Sequence, residues 1–255
     1  MRVTILGCGT STGVPRIGHD WGACDPAEPR NWRRRSSIMV EEGDTRILID
    51  TSPDLRMQLL DARVSSVTGV IWTHDHADQT HGIDDLRTLA QVQKRQVPCY
   101  SNARTFETLH RRFGYCFETP PGGFYPPIIT SHEIHAGRPF EIGGLTIEPF
   151  EQDHGFGVIS LGLRFGDFAY SNDVVQLSET AFEVLAGVKT WVVDAMRYTE
   201  HPTHSHVART LGWIERLRPQ RAVLTNLHIA LDYQKLKSEV PVGVEPAYDG
   251  MVLEI

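Results

Sequence analysis

Thr73-His74-Asp75-His76-Ala77-Asp78 sets two imidazoles and a carboxylate at alternate positions directly behind the apolar run Gly69-Val70-Ile71-Trp72. Side chains at i, i+2 and i+4 share one face where the backbone is extended, so a strand end or the loop leaving it can aim His74, His76 and Asp78 at one point. Imidazole and carboxylate together suit Zn2+, Mn2+ or iron. A lone H-x-H is equally the content of a polar turn after a strand. The later stretches Asp153-His154-Gly155, Tyr170-Ser171-Asn172-Asp173 and Val223-Leu224-Thr225-Asn226-Leu227-His228 tip the choice towards a metal site by supplying further imidazoles and a carboxylate.

Short strand signals alternate with helical ones along the chain, which predicts an α/β layered sandwich. Strands are expected at Val3 to Leu6, Ser37 to Glu41 and Arg46 to Asp50. Helices follow over Arg56 to Ala62 and, behind the metal motif, Asp78 to Gln93. A second half holds strands at Leu145 to Phe150, Ile159 to Phe165, Phe168 to Ser171, Thr190 to Asp194 and Arg221 to Thr225. Its helices are expected over Leu177 to Leu185 and His206 to Leu217. The segment from Gly114 to Pro127 carries four aromatics and four prolines and is expected to be irregular. Its aromatics could stack on a nucleobase as a substrate lid or pack against a second subunit in a homodimer.

Composition limits the function classes. At 40% apolar and 22% charged residues the chain has the make-up of a globular enzyme. Its 255 residues suffice for one core, and no linker is visible, so one domain over residues 1–255 is expected. Four scattered cysteines without a C-x-x-C pair, and no apolar leader, point to the reducing cytosol. No run approaches the ~18 apolar residues of a membrane span. A formal charge of −7 argues against holding long nucleic acid. Arg30-Asn31-Trp32-Arg33-Arg34-Arg35 is the one dense basic patch, either a solvated loop or a place for a phosphate or a stacked base. Gly7-x-Gly9 opens like a dinucleotide-binding turn, but Gly13 stands one position late and Val14-Pro15 follows where a helix should begin.

Taken in order, these motifs resemble those of the metallo-β-lactamase fold. His74, His76 and Asp78 match its H-x-H-x-D-H signature, His154 its third histidine and Asp173 the aspartate that bridges two metals. The resemblance covers nearly the whole chain and is nearest to the phosphodiesterase branch: the cyclic-phosphate phosphodiesterases associated with the carbon–phosphorus lyase pathway and, more distantly, tRNase Z. It rests there on Gly7-x-Gly9-Thr10-x-x-Gly13-Val14-Pro15, Arg34-Arg35-Ser36-Ser37, His81-Gly82-Ile83-Asp84-Asp85-Leu86-Arg87 and Pro202-Thr203-His204-Ser205-His206. The resemblance implies a four-layer αββα sandwich, Zn2+ or Mn2+ as cofactor, and hydrolysis of a small cyclic phosphate or nucleotide-like ester by metal-activated water. It gives His74, His76, His154 and Asp173 to the first metal. It makes His204 a non-ligand histidine that steadies phosphoryl charge or protonates the leaving oxygen.

Two departures stand out. The last histidine of H-x-H-x-D-H is Gln79, and the closing Thr-His is Thr225-Asn226. Both lost histidines serve the second metal in the family, leaving Asp78, Asp173 and two amides there, so occupancy of the second site is open. His228 would share a face with Asn226 if the strand ran on, and so offers a replacement ligand. Asp78 is either a ligand of the second metal or, with one metal, a general base beside the water. The family's structural zinc is expected to be absent, since only His19 and Cys24 remain in that segment. Two other classes stay open: hydrolysis of a thioester or lactone, and a non-catalytic binding descendant.

Overall fold

Ile47-Leu48-Ile49, Val70-Ile71 and Trp191-Val192-Val193 are apolar at consecutive positions, and all are buried. A strand that can leave neither face to water must sit between two covering layers. The computed structural model, which describes residues 1–255, provides those layers. The first half runs β1 (Arg2–Gly7), β2 (Ser37–Glu42), β3 (Thr45–Ile49), α1 (Leu55–Asp61), β4 (Gly69–Ile71), α2 (Ala77–Thr80), α3 (Leu86–Gln93), β5 (Val97–Ser101), α4 (Ala103–Phe117) and β6 (Ile129–Glu133). The second runs β7 (Phe140–Ile142), β8 (Leu145–Asp153), β9 (Ile159–Phe165), β10 (Phe168–Ser171), α5 (Glu179–Leu185), β11 (Thr190–Asp194), α6 (Val207–Leu217), β12 (Arg221–Thr225), α7 (Tyr233–Glu239) and β13 (Val244–Pro246). The last strand, β14 (Val252–Glu254), returns to the first sheet.

Two seven-stranded sheets result, ordered β14-β1-β2-β3-β4-β5-β6 and β13-β12-β11-β10-β9-β8-β7. Each is mixed: β3 to β6 and β10 to β13 are parallel, and the remaining strands pair antiparallel. Ile5, Ile38, Ile49 and Ile71 of one sheet meet Leu163, Phe168, Tyr170 and Val192 of the other in a shared core. Outside the first sheet, Leu48, Val70 and Trp72 pack on Leu55, Leu86 and Phe106 of its helices. Outside the second, Trp191, Val193 and Leu224 pack on Phe182, Trp213 and Leu236. The order of layers is therefore αββα. Each fully buried side chain of this size contributes about 1.5–3 kcal/mol.

Parallel strands put all their C-terminal ends at one edge, and ligands of such sheets bind beyond those ends. Here that edge holds the loops that follow β3, β4, β10, β11 and β12. The Leu161 N–H of β9 donates to the Thr73 carbonyl at 3.0 Å, tying the second sheet to the loop that leaves the first.

The helix expected from Asp78 to Gln93 is broken into α2, a 3-10 turn at Ile83–Asp85, and α3. Gly82 is the cause: it packs so closely on the next loop that a Cβ there would lie 2.1 Å from the Ser52 carbonyl oxygen. Its N–H leaves the helix to bond Thr51 O at 2.9 Å. The segment from Gly114 is irregular only beyond Phe117, because α4 runs through its first four residues after a kink at Phe113. Phe124 and Tyr125 on the remaining loop are exposed. The helix expected from Leu177 starts at Glu179, where the Ser178 side chain caps the Ala181 N–H. No helix is long and apolar enough to cross a membrane.

Candidate metal centre

The loop after β4 is shaped by a residue from the neighbouring strand. Asp50, past the end of β3 and fully buried, accepts the Thr73 N–H at 2.8 Å and its hydroxyl at 2.9 Å. Thr73 Oγ1 in turn lies 3.1 Å from His74 Nδ1, fixing the ring. His74 Nε2 is left buried with no hydrogen-bond partner. His76, the residue before α2, and His154, after β8, close on the same point: His154 Nε2 is 3.2 Å from His76 Nδ1. The other nitrogen of His154 is held by the Thr203 carbonyl at 2.7 Å. Ligand atoms of His74, His76 and His154 all lie within 4.8 Å of one another. Asp173 Oδ2 stands 3.9 Å from His74 Nε2.

Burial, with the neighbouring imidazoles, drives the His74 pKa well down and that of His154 to about 3. Both rings are neutral at ordinary pH and present lone pairs to the centre, as metal ligands must. The unpartnered His74 Nε2 and the three converging rings fit a divalent ion, with Asp173 as the carboxylate of the set.

Amides border Asp173 on one side. Gln79 Nε2 donates to Asp173 Oδ2 at 2.7 Å and lies 3.3 Å from Asp78 Oδ2. Asn172 Nδ2 reaches the same Asp173 oxygen at 3.1 Å, and Asn226 Nδ2 reaches Oδ1 at 3.0 Å. An amide set between carboxylates must turn its NH2 towards them, so Gln79 and Asn226 act as donors there and their oxygens point away. Asp78 is half-buried beside Gln79, outside the groups whose ligand atoms lie within 4.8 Å.

His204 lies next to this side, its ring 4.8 Å from that of His154. Its Nδ1 is 2.9 Å from Asp194 Oδ2 and 3.3 Å from Asp173 Oδ1. Burial alone would lower its pKa, but the charge and hydrogen bond of Asp194, with Asp173 behind, lift it to about 9.

His228 is not brought into this cluster as a metal ligand. The chain leaves β12 at Asn226 with φ 60, a left-handed turn that ends the strand and its alternation. The His228 ring faces the Arg16 guanidinium instead. The basic patch is also not a solvated loop throughout: Arg33 is buried, donating to Leu231 O at 2.7 Å and Asn31 Oδ1 at 2.9 Å. His19 is exposed, and Cys24 is buried with Sγ towards the carbonyls of Ile229 and Leu231.

Asp50, Asn172 and Asp194 are site residues that no sequence motif marks. Asp50 and Asp194 each follow an unbroken apolar strand, and that was the available signal: an acid at the end of a buried strand has no water to face.

A profile of the β-lactamase superfamily domain matches residues 45–229. An octanoyltransferase of Porphyromonas gingivalis is 32% identical over 98% of this chain, and coenzyme PQQ synthesis protein B of Xanthomonas campestris is 23% identical over 68% of it. The chain spans 51% of the first relative and 59% of the second. Among solved structures, a diphosphatase of the PhnP family superposes with a TM-score of 0.92 at 32% identity, covering 100% of this chain and 97% of that one. Human short-form tRNase Z superposes at 0.71 with 16% identity, covering 100% and 99%, a likeness of fold alone.

Proposed function

Because the chain belongs to the metallo-β-lactamase superfamily, we propose that it is a metal-dependent hydrolase of a small phosphoester or diphosphate. The observation that carries this reading is the pairing of three converging imidazoles, those of His74, His76 and His154, with the cationic His204 one ring away. The likeness to the PhnP-family diphosphatase supports phosphoryl chemistry. Held by His74, His76, His154 and Asp173, a zinc or manganese ion would supply a water of lowered pKa and positive charge beside a phosphoryl oxygen. The chain's own groups do the rest. Asp78, with one oxygen beside the Gln79 amide, is placed to orient the water and take its proton. With Nδ1 committed to Asp194, His204 offers Nε2–H to the phosphoryl or leaving oxygen. The reading assigns one tightly held ion, since Gln79 and Asn226 offer N–H groups to Asp173 and no ligand atoms to a second ion.

Cleavage of a carboxylic thioester is the second reading, supported by the name of the octanoyltransferase relative, of which the chain spans half. The test is a parallel assay of metal-loaded protein on bis(p-nitrophenyl) phosphate and on an octanoyl thioester. Turnover of the first alone is expected; turnover of the second alone would replace the phosphoester reading.

A further inference from the structure

The chain is acidic overall, with a formal charge of −7. One rim of the metal centre has the opposite sign. The His228 N–H bonds the Met196 carbonyl at 3.0 Å, which sets His228 beside Arg197. His201 is fixed by Thr203, whose N–H and hydroxyl meet its Nδ1 at 3.3 and 3.1 Å. The carbonyl of that same Thr203 holds the ligand His154, and the His201 ring is 5.2 Å from that of His204. His201 therefore stands one side chain away from the reacting centre, with Arg197 and His228 near enough for their charges to act on it.

Not all of their donors are satisfied. His228 Nδ1 accepts the Ala230 N–H at 3.2 Å. Burial, with the charges of Arg16 and Arg197, keeps this imidazole below its usual pKa. A neutral ring whose Nδ1 accepts must carry its proton on Nε2. That edge of the ring faces a guanidinium nitrogen of Arg16. Arg16 Nε is also buried without a partner, and the only carboxylate in range, Asp20, is half-exposed and 3.7 Å from Nη1. Arg197 is steadied by the Thr199 and Glu200 carbonyls through Nε and Nη2, which leaves Nη1 free. Neighbouring donors of this kind, one of them buried and unpartnered, match the several oxygens of a phosphate.

We propose that Arg16, Arg197, His201 and His228 form a second anion subsite, which takes the non-reacting phosphate of a substrate containing two linked phosphoryl groups. The assignment rests on the reading of the neighbouring centre as one that hydrolyses phosphoryl bonds. It makes a diphosphate, rather than a simple diester, the substrate class.

Calorimetric titration of the metal-loaded chain with inorganic pyrophosphate and with orthophosphate tests it, with metal content measured after each run. The wild type is expected to favour pyrophosphate by about tenfold or more, the size of effect that one or two charge-assisted hydrogen bonds produce. Arg16→Gln and His228→Gln should each bring the ratio of the two dissociation constants close to one, while Arg16→Lys should restore part of it. Equal affinity for the two anions in the wild type, or a preference that survives both glutamine variants, would overturn the subsite. The hydrolase reading fails separately, through absent turnover of bis(p-nitrophenyl) phosphate. A pyrophosphate preference that persists in that case supports the subsite.

Discussion

His204 gains its role from two carboxylates of different strands, Asp194 at the end of β11 and Asp173 after β10, which keep a buried imidazole protonated. His204→Ala should leave metal content unchanged and lower kcat by about 10²–10⁴-fold. The loss should be smaller for nitrophenolate than for an alkoxide leaving group if His204 acts as an acid, and equal if it only stabilises charge. The sign with pH follows from a pKa raised to about 9: the imidazolium is present below that value and lost above it, so turnover of the alkoxide substrate should fall as pH rises past 9. An unaltered rate in the variant removes His204 from the mechanism. Gln79 and Asn226 are the converse case, neutral donors where the family has ligands. Gln79→His with Asn226→His should raise bound metal from one to two equivalents by elemental analysis. Phe156, between Gly155 and Gly157, is 85% exposed with φ 51. A bulky residue in the left-handed region costs about 1 kcal/mol, and strain beside a ligand histidine suggests a contact with substrate. Phe156→Asn should therefore stabilise the protein to urea by about 0.5–1 kcal/mol and raise KM for aryl esters; a loss of stability would mean the ring packs more than its exposure indicates.

Among the elements, the site is a set of strand ends, and each is legible in sequence only where the reasons for it are local. The ends of β4, β10 and β12 were legible because their motif residues follow apolar runs directly. Asp50 was not, since its partner Thr73 lies 23 positions away and only the parallel pairing of β3 with β4 joins them. The break after α2 was equally hidden, because it depends on the Ser52 carbonyl of another loop pressing on Gly82. Helix α4 shows in sequence only through the spacing of Phe106 and Leu109, a signal that the proline-rich tail after it obscures. The edge strands β7, β13 and β14 have three residues each, too few for periodicity to register. Asp50→Ala tests the view that β3 supports the loop of β4. It should weaken metal binding by about 10–100-fold without touching the ion, the usual effect of losing a group behind a ligand. Metal affinity equal to wild type, measured by chelator competition, would show that the Thr73 backbone holds its course without Asp50.

Over the whole molecule, the candidate ligands come from both halves: His74 and His76 from the sheet that contains β4, His154 and Asp173 from the sheet that contains β8 and β10. An ion bound to all four crosslinks the two sheets at the edge where their shared core ends, beyond Ile71 and Tyr170. Without it, three imidazoles are packed together with His74 Nε2 unsatisfied, and the Asp173 carboxylate is buried where desolvation pushes its pKa far up. Metal binding should thus stabilise the fold as a unit, by about 2.7 kcal/mol at a free concentration one hundred times Kd. For a chain of this size that corresponds to a rise of about 5–10 °C in Tm. Chelation should lower Tm by that amount and speed amide exchange in the loops after both β4 and β10, and one equivalent of zinc or manganese should reverse both changes. If chelation strips the ion, as elemental analysis would record, while Tm and exchange stay fixed, the ion is held by one sheet alone and the four-residue ligand set is wrong.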